Sequence, residues 1–141
     1  MPEFAVDDST LARRTAQLIR ENFSHETVSN LLVVRFGKKW RTKLGHIKPM
    51  RKDAEFGSLI EINPLLVHQG VPEFVLDATL LHELIHYFDG FGSNKQRKYR
   101  HPHKGGVVDR EMALRGFGEI LKKQKKWLDE NWQSLCAENR V

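Results

Sequence analysis

Residues 80–88 read "LLHELIHYF". His82 and His86 stand four apart, Glu83 follows the first of them, and every other residue in the stretch is apolar or aromatic. Residues four apart lie one above the other on a helix face, so two imidazole nitrogens at this spacing can reach a single ion. Glu83 is rotated partly aside, where a carboxylate can act on water beside the ion instead of binding it. Burying two imidazoles and a carboxylate without partners costs about 1–3 kcal/mol or more per group. A metal ion removes that penalty by using all three, so the pattern H-E-x-x-H in an apolar setting points to zinc.

Reading outward, "EFVLDATLLHELIHYF" (73–88) is helical in length and apolar nearly all round, the mark of a central, buried helix. Pro72 stands where a first helical residue often does, and Glu73 and Asp77 suit the positive end of the helix dipole. The glycines of "DGFGSN" end the helix. Upstream, "LLVVRFG" (31–37) reads as a short strand, "TKLGHIKPM" (42–50) as a second with a turn near Gly45, and "SLIEINP" (58–64) as a third that Pro64 terminates. Asp53 to Gly57 reads as a turn. Ser9 or Thr10 caps an N-terminal helix with Leu11, Thr15, Leu18 and Ile19 on one face. A final helix is expected from about Asp109 to about Asn131, with Met112, Leu114, Ile120, Leu121, Trp127 and Leu128 toward the core. The order predicts an α+β fold: a small antiparallel three-stranded sheet packed on the buried helix, with flanking N- and C-terminal helices.

The 141 residues are read as a single domain spanning 1–141, and 40% apolar with 29% charged residues suits a globular chain. No apolar run reaches 18 residues, which predicts no membrane span. The N-terminus lacks a basic segment followed by an apolar one, and Cys136 is the sole cysteine. Both features predict a cytoplasmic protein without disulfides.

A catalytic zinc site needs a third protein ligand and an open position. His103 is the first candidate, because the glycines after it allow close backbone approach; His101 and then Glu111 are alternatives. His25, His46 and His68 read as surface or structural residues. Charge is uneven: residues 1–90 hold 11 Lys/Arg against 12 Asp/Glu, and 91–141 hold 12 against 6. Two acid-free runs, "KKWRTKLGHIKPMRK" (38–52) and "KQRKYRHPHK" (95–104), concentrate the positive charge. Lys38, Lys39, Trp40, Arg41, Arg97, Lys98 and Arg100 are the candidate nucleic-acid contacts, with Trp40 and Tyr99 able to stack on unpaired bases.

"GSLIEINPLL", a spacer, "LLHELIHYF" and a basic loop ending in histidine resemble the SprT-like zinc metalloprotease family, to which the Spartan-type DNA–protein crosslink proteases belong. The resemblance spans roughly residues 25–121. It implies a minimal zincin metallopeptidase core with His82 and His86 as zinc ligands, Glu83 as general base and a histidine of "HPH" as third ligand. The family's usual H-G-x-x-aromatic motif is altered here, since Lys104, Gly105, Gly106 and Val107 follow His103. The expected function is zinc-dependent hydrolysis of peptide bonds, with DNA-associated proteins as a substrate class and DNA as a further partner. The alternative is a non-proteolytic DNA-binding module whose zinc is structural. For the developing oxyanion Tyr99 is a candidate donor, Tyr87 reads as packed, and Asn63 reads as a turn residue.

Overall fold

A computed structural model describes residues 8–26, 31–89 and 107–141. The elements are α1 (Asp8–Asn22), β1 (Leu31–Phe36), β2 (Gly45–Lys52), β3 (Glu55–Ile62), a 3-10 turn (Pro64–Val67), α2 (Glu73–Phe88), α3 (Val107–Leu114) and α4 (Gly118–Glu138). Helices and a small sheet make the fold α+β, as the sequence predicts.

The sheet is mixed, not antiparallel. β3 lies in the centre, paired antiparallel with β2 and parallel with β1, giving the order β1-β3-β2. The connection decides this: the chain leaves β1 through residues 37–44, reaches the far edge as β2, and returns by a two-residue hairpin into the gap between them. β1 and β3 therefore run the same way. The hairpin turn is Asp53–Ala54, both at positive φ (54° and 72°), the backbone that matches the right-handed strand twist. The strands thus extend to Lys52 and Glu55, and the turn expected over 53–57 shrinks to its first two residues.

The long C-terminal helix expected from 109 is broken in two. Gly116, at φ +87°, ends α3. Its N–H donates to Ala113 O (3.1 Å) and the next N–H, of Phe117, to Met112 O (2.8 Å), the paired bonds of a Schellman motif. Leu114, expected in the core, is 82% exposed. Counting 100° per residue from buried Val108 and Met112 places it on the opposite side of α3. At the other end of the chain α1 begins at Asp8, one residue ahead of the expected caps, and Asp8 Oδ1 accepts from the Phe36 N–H at 2.9 Å, tying α1 to β1.

α2 occupies the span expected of it and is the centre of the core, with Pro72 just outside as its N-cap. Val75, Ala78, Leu80, Leu81, Leu84, Ile85, Tyr87 and Phe88 are all buried. All of these but Ala78 pack in one cluster with Leu11 and Leu18 of α1, Ile60 and Ile62 of β3, and Val108 and Met112 of α3. α4 is locked to α2 by a polar clamp: Gln124 Nε2 donates to Val75 O (3.0 Å) and to Thr79 Oγ1 (2.8 Å). Arg14 Nε donates to Asp77 Oδ1 at 2.8 Å, tying α1 to α2. A helix held from so many directions is a rigid platform for side chains.

Candidate metal centre

The one turn of α2 from His82 to His86 gathers three ligating groups. One donor atom each from His82, Glu83 and His86 lies within 4.8 Å of the others. The two Nε2 atoms are 3.3 Å apart, with the rings meeting edge to face at 71°. Two nitrogens bound at 2.0–2.1 Å to one tetrahedral zinc stand about 3.3–3.4 Å apart, so the spacing suits a shared ion. The imidazole pair therefore fits zinc in distance and in donor chemistry. His86 and Glu83 are buried, 3% and 5% exposed, and His82 is half-buried. The site thus has a closed floor and one more open side.

Burial pushes the Glu83 carboxyl up to about 8, and the Lys43 ammonium opposes that rise. Lys43 belongs to the β1–β2 connection, whose shape is set by Asn63. Fully buried Asn63 donates through Nδ2 to Trp40 O (2.8 Å) and Lys43 O (2.9 Å), and its Oδ1 accepts from the Leu65 N–H (3.0 Å). Its own N–H donates to Leu44 O (2.8 Å). Asn63 is the turn residue the sequence suggests, since it caps the 3-10 segment, and it also fixes residues 40–44. Just beyond, Gly45 presses against α2: a Cβ there would stand 3.3 Å from Thr79 Cγ2, one helical turn before Glu83.

The basic run 38–52 is used in two ways. Lys38 and Lys39 are exposed. Trp40 is folded back, its ring 4.9 Å from that of His46 and so close to Gly37 that a Cβ there would lie 2.5 Å from Cη2. Lys43 covers the Trp40 ring at 5.0 Å. Arg41 donates to Val141 O (3.0 Å), while its own carbonyl accepts from Trp132 Nε1 (2.7 Å). Trp40 and Arg41 thus have internal roles, while Lys38 and Lys39, like Lys43, Arg51 and Lys52 of the same run, are exposed.

Glu111 is buried in α3, where its Oε1 accepts from Arg115 Nε at 3.2 Å. It is not one of the three donors gathered on α2. His101, His103, Arg97, Lys98, Tyr99 and Arg100 lie outside the described residues. His46 is structural, its Nε2 standing 2.9 Å from Glu61 Oε1. His68 Nδ1 donates to Gln69 O at 3.0 Å. Tyr87 is packed, 1% exposed. Sequence reading missed the part of Glu61, the one acid inside a run of buried strand residues, as the shared acceptor for His46, Lys48 and Arg35. No family model, no curated protein and no solved structure matches this chain. No described helix is long and apolar enough to cross a membrane.

Proposed function

We propose that this chain is a zinc-dependent endopeptidase of SprT-like type. The observation that carries the reading is the 3.3 Å convergence of His82 and His86 Nε2 beside a buried Glu83 carboxyl. The family assignment rests on the motifs "IEINPLL" and "HELIH" in their order and spacing.

In this reading His82 and His86 hold the ion, with His103, His101 or Glu111 supplying a third ligand. When bound, zinc supplies Lewis acidity, which acidifies water and polarises a peptide carbonyl. Glu83 is the proton carrier. A bound ion's positive charge would favour the ionised form, and that carboxylate would take a proton from the attacking water as its oxygen bonds the carbonyl carbon and deliver it to the amine nitrogen as the C–N bond breaks. The apolar neighbours Leu80, Leu84 and Ile85 keep α2 from shifting, so Glu83 and the two imidazoles hold their mutual geometry. Proteins associated with DNA remain the proposed substrate class, with Lys38 and Lys39 as the exposed cations nearest this idea.

The test is cleavage of a generic unfolded protein by the zinc-loaded chain, with and without chelator, beside Glu83→Gln. Cleavage that chelation stops and Glu83→Gln lowers by at least 10²-fold is expected, the usual worth of a general base. Proteolysis undiminished in Glu83→Gln overturns the mechanism. For DNA, affinity is expected to fall steeply between low and moderate salt as phosphate counterions are released; a flat salt response removes that partner.

A further inference from the structure

The two edges of the sheet are built differently. With β3 in the centre, β1 and β2 each keep one edge unpaired among the described residues. Along a strand, the N–H and C=O groups of successive residues point to alternate edges. On the β2 side the Leu44 carbonyl accepts from the Asn63 N–H (2.8 Å), and Lys52 pairs with Glu55 across the hairpin. Even-numbered residues therefore face β3, and Ile47, Pro49 and Arg51 face the free edge. Pro49 has no N–H and interrupts that edge at its middle, while exposed Lys48, Arg51 and Lys52 stand along it. Proline and cations are the devices that keep an edge from pairing with another chain.

β1 has no such guard. The Gly37 N–H, just past its end, donates to Ile62 O (2.9 Å), so odd-numbered residues face β3 and Leu32, Val34 and Phe36 face the free edge. The Phe36 N–H is taken by Asp8 Oδ1 at the surface (2.9 Å). The N–H and C=O groups of Leu32 and Val34 have no partner among the described residues. The strand has no proline, and its one charged residue, Arg35, is engaged by Glu61 at 3.3 Å. Two donor–acceptor sets two residues apart are a template for one more extended backbone.

The chain itself carries the matching strand. A two-fold axis at Val33 sets Leu32 of one copy opposite Val34 of the other, and the two pairs exchange both of their hydrogen bonds. At the axis Val33 meets Val33, and Arg35 falls opposite Leu31, so apolar side chains meet and like charges do not. Leu31, Val33, Leu59 and Met50 share the outer face with Arg35 and Glu61, and none of the four belongs to the core cluster around α2. Pairing two copies makes this apolar strip continuous across six strands, three from each.

α1 supplies the second part of the surface. It packs on β1, whereas α2 packs on β2 and β3. Counting 100° per residue from buried Leu11, Thr15 and Leu18 sends Arg14 to one flank, where its Nε donates to Asp77 Oδ1 of α2 (2.8 Å). Ala12, Ala16 and Ile19 fall on the opposite flank, on the side of the open edge. Ala12 and Ala16 are exposed and Ile19 is half-buried. A stable interface buries about 1,000 Å² or more, which needs this uncharged flank beside the strand pair.

We propose that the β1 edge is an interface between two copies of this chain. The β1 strands pair antiparallel about Val33, and the Ala12 and Ala16 flanks of α1 meet alongside. The interface stands apart from the peptidase reading and holds whether or not the chain cleaves peptides.

The test is sedimentation equilibrium of the full chain over a concentration series. A particle of twice the 16.4 kDa chain mass is expected at the upper concentrations. Val33 is partly exposed, so Val33→Lys and Val33→Glu leave the fold intact, as circular dichroism checks. Each sets like charges opposite one another and is expected to raise the dissociation constant by about tenfold or more. Mixing the two variants restores a dimer, because opposite charges then meet at the axis. Ala16→Arg, on the helix flank, weakens the dimer as well. A chain that stays monomeric throughout overturns the proposal, as does a Val33→Lys dimer of wild-type affinity or a mixture no tighter than either variant alone. A chain that dimerises only after residues 1–7 are removed assigns the edge to that segment and overturns it too.

Discussion

Glu83 and Glu61 are the same residue in opposite circumstances. Glu83 sits in the apolar centre of α2, and burial pushes its carboxyl up to about 8, with the Lys43 charge opposing. Glu61 sits on the outer face of the sheet. Burial pushes it up as well, but hydrogen bonds from His46, Lys48 and Arg35 outweigh that, and its carboxyl falls to about 2. A carboxylate meant to organise a surface is surrounded by donors, whereas one that must take and release protons is kept short of them. The contrast marks Glu61 as structural and is consistent with the proton-carrying role proposed for Glu83.

The largest effect expected from this contrast is on stability against pH in the metal-free protein. Folded Glu83 keeps its proton up to about 8, whereas a glutamate in the unfolded chain loses it near 4.5. The folded state therefore binds more protons between those values. Stability is full below about 4.5, falls through the window by up to ~1.4 kcal/mol per pH unit, and levels off above about 8. Glu83→Gln is expected to flatten this slope in urea denaturation at a series of pH values. A slope equal to wild type would mean that Glu83 is not the buried acid described here.

A smaller loss, of about 2–4 kcal/mol, is expected from Asn63→Ala, which leaves Trp40 O and Lys43 O without their donor and removes the acceptor for the Leu65 N–H. Denaturation midpoints measure it. The smallest effect belongs to Glu61→Gln. Its folded value is depressed, so its contribution is present above the ordinary carboxylate range and is lost as pH falls toward 2. Its cationic partners Arg35 and Lys48 are half-exposed; with that screening, the loss at neutral pH is expected to be about 1 kcal/mol or less.

Much of this was legible in the sequence, and the illegible parts share a cause. α2 was readable because its length, apolar circumference and two histidines are local properties. The strands were readable from their β-branched runs, but the direction of β1 relative to β3 depends on where residues 37–44 carry the chain, which no strand pattern encodes. The break at Gly116 was hidden because the apolar spacing continues across it from Met112 to Ile120, and a single glycine does not announce positive φ. The grouping of His82, Glu83 and His86 on α2, which could hold a metal ion, was legible from a four-residue spacing. The bonds by which Asn63 also fixes residues 40–44 were not, because they join residues about 20 apart in sequence.

The most direct test of the central claim is the zinc content of the purified chain beside those of His86→Ala and Glu83→Gln, each assayed for peptide cleavage. One zinc per wild-type chain is expected, with zinc retained and cleavage lost in Glu83→Gln, and both lost in His86→Ala. Equal zinc content in wild type and His86→Ala, or cleavage by Glu83→Gln at the wild-type rate, would contradict the claim.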